Sequence, residues 1–285
     1  MTLSTAPRAA SSGERVVARA ATDRTAVLIG RAGFAARGVV YLIVGWLALL
    51  AAFGSGAAGP DKQSALEAIS QLPLGTVLLG VVAVGLFAYA GWSLVRGVFD
   101  PERLGHDAKA LFARAGFVVA GLSYGGLALA AAKFALGSGT AGQGSDASTQ
   151  DGTARLLGAP FGPPLVIAIG AIMIGIAAVE FARAYTASFL KDLSLGAVRA
   201  EPRRWVERVG RMGLTARGVV FALIGIFLIQ ASLQQDAGQA VGLGGALQKV
   251  AEQPFGQILL GVVAVGLCMY GLFSLVQARY GRLKH

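Results

Sequence analysis

The sequence predicts an all-α membrane protein with six transmembrane helices, arranged as three tandem repeats of one helix pair. Three observations predict this fold: a long repeated string, six uncharged segments and a one-sided distribution of basic residues. The mean hydropathy is +0.63. Of the 285 residues, 55% are hydrophobic and only 14% are charged. Soluble domains carry about 25% charged residues, so the composition favours a chain whose surroundings are lipid.

The repetition is visible directly in the sequence. The residues from Leu78 to Leu86 read LLGVVAVGL, and the same nine residues recur from Leu259 to Leu267. Residues 30–45 read GRAGFAARGVVYLIVG, and residues 210–225 read GRMGLTARGVVFALIG. A weaker copy, RAGFVVAGLSYGG, begins at Arg114. Self-similarity of this kind indicates an array of equivalent structural units.

Six segments of the chain contain no charged residue, and each one is long enough to cross a bilayer. They are residues 38–60, 68–95, 115–132, 156–179, 218–235 and 253–278. A membrane-spanning helix needs roughly 18 or more apolar residues. Since lipid offers no partner for backbone N–H and C=O groups, such segments are predicted to be helices.

Recurring arginines and prolines divide the chain into units. An arginine begins the first helix of each unit, at Arg31, Arg114 and Arg211. A proline, followed two residues later by glycine, begins the second helix, at Pro73, Pro160 and Pro254; proline is tolerated there because the first helical N–H groups are unpaired anyway. We therefore predict a basic cytoplasmic tail over 1–30 and two-helix repeats over 31–110, 111–200 and 201–285.

Each unit crosses the membrane twice, so all three units keep the same orientation. Parallel repeats are related by an axis along the membrane normal. A pseudo-threefold ring of six helices is the simplest arrangement, and a linear row is the alternative. Short amphipathic segments precede the three prolines, and we expect them to lie on the external membrane surface. We expect the Gly/Ser-rich residues 137–148 to form a flexible linker.

The net charge of +10 is distributed unevenly across the predicted membrane. Of the 25 Lys and Arg residues, 21 fall in or near the segments on the side of the two termini. The positive-inside rule then places both termini in the cytoplasm. The uneven distribution indicates that the basic residues orient the protein in the membrane. We therefore expect no nucleic-acid partner. We expect the lipid bilayer itself, with possible contacts to anionic headgroups on the cytoplasmic face, as the partner.

Two motifs together resemble a known family. They are R-x-G-F-x-x-R-G-V-V-Y at the head of a span and A-L-x-x-[IV]-x-x-x-P-[LF]-G-x-x-L-L-G-x-V-A-x-G-L before and within the next. The chain resembles, over about residues 31–280, the bacterial membrane family named domain of unknown function 1206, which is built from repeated two-helix units. The middle unit departs from the pattern, because Ala120 replaces the second arginine. The resemblance implies a bacterial cytoplasmic (inner) membrane protein and transfers no catalytic or binding residue.

Glycines recur every seven residues along the first helix of each unit, on one helical face. Small residues let helix backbones approach closely in lipid, and we predict that these glycines form a packing seam: Gly38, Gly45, Gly121, Gly218 and Gly225. Arg31, Arg114 and Arg211 stand at the predicted cytoplasmic ends of their helices. We interpret these arginines as interface anchors.

Arg37 and Arg217 lie six residues deeper than those anchors, and Glu180 is predicted at a similar depth. One interpretation is that the two arginines also reach the membrane surface. The other is an intramembrane ion pair in which Glu180 bonds Arg37 or Arg217 from a neighbouring unit. Glu180 has the further alternatives of a local pair with Arg183, three residues on, or of a solvated carboxylate.

Tyrosines also recur at equivalent positions, and we expect them to pack between helices: Tyr41, Tyr89, Tyr124 and Tyr270, with Phe221 as the fifth member. Two histidines and one cysteine are too few for a metal cluster. Intramembrane catalysis needs a nucleophile with a base, or a metal. We therefore expect no catalytic residue, metal, cofactor or enzyme activity. The sequence favours a structural, accessory or partner-binding membrane protein, and the alternative is a small-solute or ion transporter or channel that uses the repeat interface.

Overall fold

A computed structural model describes residues 24–53, 66, 69–71, 75–100, 107–138, 145–193 and 200–281. This part of the chain is all-α and contains eight α-helices. They are α1 (Arg24–Ala52), α2 (Gly75–Phe99), α3 (Ala108–Ala135), α4 (Ser145–Leu157), α5 (Gly162–Thr186), α6 (Ala200–Leu233), α7 (Leu243–Ala251) and α8 (Gly256–Tyr280). Two short 3-10 helices, Ser188–Asp192 and Ala237–Gln239, follow α5 and α6.

Six of these helices contain segments long and apolar enough to cross a membrane, which confirms the predicted number of spans. The segments are Gly30–Ala52, Gly75–Phe99, Ala110–Ala135, Gly162–Thr186, Arg203–Leu233 and Gly256–Tyr280. At 1.5 Å per residue, 23 residues extend about 35 Å, enough for a hydrocarbon core of about 30 Å. Large apolar side chains face outward, as lipid contact requires; Val77, Val81 and Val84 are about two-thirds exposed.

The second helix of each unit packs along the first helix of the next unit. α2 lies along α3, α5 along α6, and α8 returns to lie along α1. Within a unit, α1 contacts α2 and α6 contacts α8, whereas α3 and α5 meet only slightly. The order of contacts is therefore that of a ring whose closure depends on the slight contact between α3 and α5. An exact pseudo-threefold axis stays a prediction.

The two ends of the bundle differ. At one end, α2 finishes beside the start of α3, and the chain after α5 pairs with the end of α8 through an isolated bridge between Leu193 and Gly281. We call this end the terminal side, and the opposite end, where α4 and α7 lie, the loop side. The domain boundaries predicted at 31, 111 and 201 each fall inside a helix, because α1 begins at Arg24, α3 at Ala108 and α6 at Ala200.

The local backbone geometry at the loop side explains why the Pro-x-Gly sequence recurs. Phe161 and Phe255, the residues between the proline and the glycine, adopt left-handed backbone conformations with φ of 61° and 63°. The helix then begins at Gly162 or Gly256, where a Cβ atom would collide with carbonyl groups of the preceding turn. Glycine is required there by the close approach of the chain to itself.

The short helices at the loop side pack against the spans. Six of the nine residues of α7 are buried, and Leu247 and Val250 belong to the main hydrophobic core; the position of the short helices at the external membrane surface stays a prediction. Leu66 and Ile69, at the equivalent positions of the first unit, are fully buried in that same core. The linker expected over 137–148 is shorter than predicted, because α4 begins at Ser145; residues 139–144 lie outside the described residues.

Candidate functional site

Three charged residues lie at one level inside the bundle. Arg37 and Arg217 are each seven residues beyond the repeat-equivalent glycines at 30 and 210, which places them about 10 Å past those glycines at 1.5 Å per residue. Glu180 is six residues before the end of α5, about 9 Å from the same side. Because odd spans start and even spans end on the terminal side, all three side chains share this depth.

Glu180 forms an ion pair with Arg217, through Oε1 and Nη1. Only 7% of the Glu180 side chain and 12% of the Arg217 side chain are exposed. The Arg217 guanidinium also lies over two aromatic rings, 4.4 Å from the centroid of Phe221 and 5.0 Å from that of Tyr270. Arg183, the local alternative, instead pairs with Asp192 at 2.7 Å on the surface. The structure therefore brings Glu180 to a neighbouring unit rather than to its own helix.

Arg37 has a different environment, although only 4% of the residue is exposed. Its Nη1 donates to the Tyr89 hydroxyl and its Nη2 to the Gln277 side-chain carbonyl, both at 2.7 Å. Its guanidinium carbon lies 4.8, 5.0 and 5.2 Å from the ring centroids of Phe34, Tyr89 and Tyr270. No carboxylate of the described residues bonds Arg37, so its charge is met by two neutral oxygens and three aromatic faces.

The predicted aromatic packing joins these two arginines into one cluster. The rings of Tyr41 and Tyr270 meet edge to face at 4.7 Å, and those of Tyr89 and Tyr124 at 4.8 Å. The hydroxyls of Tyr41 and Tyr124 lie 3.5 Å apart. Tyr270 contacts both arginines. We define the Arg/Tyr cluster by its members Arg37, Arg217, Glu180, Tyr41, Tyr89, Tyr124, Tyr270 and Gln277.

The seam glycines lie where spans of different units approach most closely. A Cβ on Gly38 would stand 2.9 Å from the Gly271 carbonyl oxygen of α8, and one on Gly225 would stand 2.7 Å from the Gly170 carbonyl oxygen of α5. The other three are equally confined, by Ala264 at Gly45, Leu94 at Gly121 and Phe181 at Gly218. This close packing of each odd span on the preceding even span determines which charged residues face each other.

The three arginines predicted as interface anchors differ in their contacts. Arg31 is exposed. Arg114 donates to the Gly97 and Val98 carbonyl oxygens at 2.9 and 2.8 Å, and so compensates the carboxyl end of α2. Arg211 pairs with Glu207, one turn earlier, at 2.9 Å. All three arginines therefore lie at the terminal side, and two of them, Arg114 and Arg211, also bond other groups of the protein.

Gln277 is the member of the cluster that sequence reasoning missed. It stands at the repeat position of Arg96 and Arg183, so its neutral side chain breaks an otherwise basic pattern. This break in the basic pattern is the sequence feature that could have identified Gln277 as a member of the cluster. Arg96 itself lies over the Phe117 ring at 3.9 Å, at the interface between α2 and α3.

The cluster holds two cations and one carboxylate in a buried environment. The carboxylate of Glu180 is neutralised by Arg217, and the described residues contain no group of three His, Cys, Asp or Glu side chains placed to hold a metal ion. The arginines and phenols can donate hydrogen bonds to an anion. The arrangement therefore suits the binding of negative charge.

The comparisons with known proteins agree with the repeat architecture. A family model described as Domain of Unknown Function (DUF1206) matches three times, over residues 32–100, 115–187 and 212–281. The "Uncharacterized protein YxxB" of Bacillus subtilis (strain 168) is 33% identical over 251 residues, which is 88% of this chain and 90% of that protein. No solved structure matches. Since the matched segments include most of the chain, the protein belongs to the DUF1206 family, with three copies of its two-helix unit.

Proposed function

We propose that this multi-pass membrane protein is a non-enzymatic structural or accessory protein of the bacterial cytoplasmic membrane, with both termini in the cytoplasm. The observation that carries the proposal is that side chains fill the interior of the bundle at two levels. On the terminal side the Arg/Tyr cluster occupies the centre. Towards the loop side the interior is apolar, with Val44, Leu86 and Leu267 fully buried.

The loop-side end is closed by the short helices. Leu247 on α7 and Leu66, its equivalent in the first unit, are both fully buried against the spans. α4 and the 3-10 helix Ala237–Gln239 contact each other over the same end. Such packing supports a role in which the outer surfaces of the bundle, rather than an internal path, contact other molecules.

The charge distribution supports the proposed orientation and the lipid partner. Arg31, Arg203, Arg204 and Arg208 are exposed near the terminal side. Basic residues close to a span attract anionic headgroups and remain preferentially in the cytoplasm. Because this role in membrane orientation accounts for the basic residues, we propose no nucleic-acid partner.

A second candidate function is a small-solute or ion pathway. It is favoured by one specific observation, the burial of charged residues at the interfaces between repeats, which is where transporters built from repeats bind their substrates. In this alternative, the apolar loop-side half would have to open.

Proteoliposome flux measurements separate the two functions. Purified protein is reconstituted into liposomes, and efflux of potassium, chloride and glycerol is compared with that from protein-free liposomes. The structural role predicts no added flux, because the interior is filled. A saturable flux that Arg37→Gln abolishes, while the surface variant Arg31→Gln retains it, would establish the pathway and overturn the structural role.

A further inference from the structure

The three interfaces between units contain one repeated pair of positions. One position lies on the first helix of a unit and the other on the second helix of the preceding unit, four residues after the position of Tyr89 and Tyr270. Reading around the ring, the three pairs are Arg217 with Glu180, Ala120 with Ser93, and Arg37 with Ser274. One interface therefore has both charges, one has neither, and one has a cation without its anion.

The Arg217 interface shows what the arginine position binds when an anion is present. There the Glu180 carboxylate bonds the guanidinium directly in a nearly dry environment. At the Arg37 interface, Ser274 is fully buried and donates its hydroxyl to the Tyr270 carbonyl oxygen of its own helix at 2.9 Å. Ser274 thus supplies no counter-charge.

A buried cation that meets neutral partners alone is costly to hold. Burying an isolated charge is strongly unfavourable unless an opposite charge compensates it. The Nε atom of Arg37 is buried and bonds no described group, while its other nitrogens donate to Tyr89 and Gln277. The Nε atom of Arg217 is likewise unbonded, so what distinguishes Arg37 is the lack of a carboxylate partner among the described residues.

We propose that Arg37 binds the carboxylate group of a ligand, in the role that Glu180 performs for Arg217. The Gln277 amide is the group that the carboxylate replaces, because Gln277 is half-buried and only three residues from the end of α8 on the terminal side. The rings of Phe34, Tyr89 and Tyr270 surround the guanidinium and shield from water the bond that the carboxylate would form. The ligand class is a monocarboxylate, supplied either by a fatty acid in the bilayer or by a small carboxylate in water.

The two sources are tested with the full chain in lipid nanodiscs. Acetate is compared with chloride at equal ionic strength, and nanodiscs with oleate are compared with nanodiscs containing oleyl alcohol, which lacks the charge. The readouts are the thermal unfolding midpoint and the 13C NMR shift of a carboxyl-labelled ligand. A response to acetate identifies a water-soluble ligand, and a response to oleate alone identifies a bilayer ligand. No response to either carboxylate overturns the proposal.

Two variants assign the response to Arg37. Arg37→Gln removes a charge-assisted hydrogen bond and should weaken binding about 10- to 100-fold, whereas the exposed Arg31→Gln should bind as the natural protein does. Ser274→Glu places a carboxylate at the repeat position of Glu180, so it should raise the unfolding midpoint and abolish binding.

Binding that persists in Arg37→Gln would place the ligand elsewhere and overturn the proposal. If Ser274→Glu does not fold, the comparison of Arg37→Gln with Arg31→Gln still decides. The inference is independent of the structural role proposed above, because ligand binding and solute flux are measured separately.

Discussion

Replacement of Glu180 by glutamine tests the energetic value of the buried ion pair. The substitution keeps the shape of the side chain but leaves Arg217 charged and without a carboxylate. Breaking a well-buried pair typically costs about 3–5 kcal/mol. Both side chains are at most 12% exposed, while Phe221 and Tyr270 continue to stabilise the guanidinium. We therefore expect Glu180→Gln to lower the free energy of unfolding by about 3 kcal/mol, the lower end of that range.

The reverse substitution should cost less. In Arg217→Gln the amide of the new side chain can still donate a hydrogen bond to the Glu180 carboxylate, whereas in Glu180→Gln the guanidinium keeps its charge with no carboxylate beside it. We expect a loss of about 2 kcal/mol for this variant, and the double variant should lose little more than Glu180→Gln alone. The cycle then gives a coupling energy of about 2 kcal/mol.

Reversible unfolding in mixed micelles, followed by the fluorescence of the three tryptophans, measures each free energy. The control is the surface pair Arg183–Asp192 at the end of the same helix, whose side chains are 35% and 54% exposed. Exposed pairs couple by about 0.2–1 kcal/mol. If the buried pair couples no more strongly than this control, the ion pair does not hold the units together and the reasoning is refuted.

The remaining predictions concern topology and packing. In a background without the native cysteine, external thiol reagent should label Ser145→Cys and not Ser194→Cys; the reverse pattern contradicts cytoplasmic termini. Gly38→Leu should lower the free energy of unfolding by about 1–3 kcal/mol, because its Cβ would meet a carbonyl of α8 at 2.9 Å, whereas Gly126→Leu, with no atom nearby, should not. Thr153, at the repeat position of the buried Leu66 and Leu247, borders an open pocket of about 200 Å³ at the outer side of α5 and α6, beneath α4. Thr153→Leu should therefore raise stability by about 1 kcal/mol in thermal unfolding; a lower midpoint would contradict it.

The six spans and the helix pairs could be predicted because they depend on local composition. An uncharged segment of sufficient length must be a helix in lipid, whatever surrounds it. The seam glycines Gly38 and Gly225 could be found for a similar reason, since their seven-residue spacing marks one helical face. Such features need no knowledge of which helices are neighbours.

The partner of Glu180 could not be decided in this way. Arg37 and Arg217 have the same sequence context and the same depth, so the choice depends on which odd span packs against α5. The same limitation applies to α7: its amphipathic pattern is compatible with a membrane surface, and its burial depends on the shape of the bundle end. Both outcomes are set by the packing of units that lie far apart in the chain.

The backbone of the ring repeats, whereas the charges inside it do not, and this difference determines what the centre can do. Three arginines at one level would repel one another in a region of low dielectric constant. Ala120 removes the charge from one interface, and Glu180 neutralises it at another. One net positive charge then remains, on Arg37, where a serine replaces the carboxylate and a glutamine replaces the basic residue of the other units. A fully compensated centre would serve packing alone, so, among the described members of the Arg/Tyr cluster, Arg37 is the cation on which the proposed carboxylate binding depends.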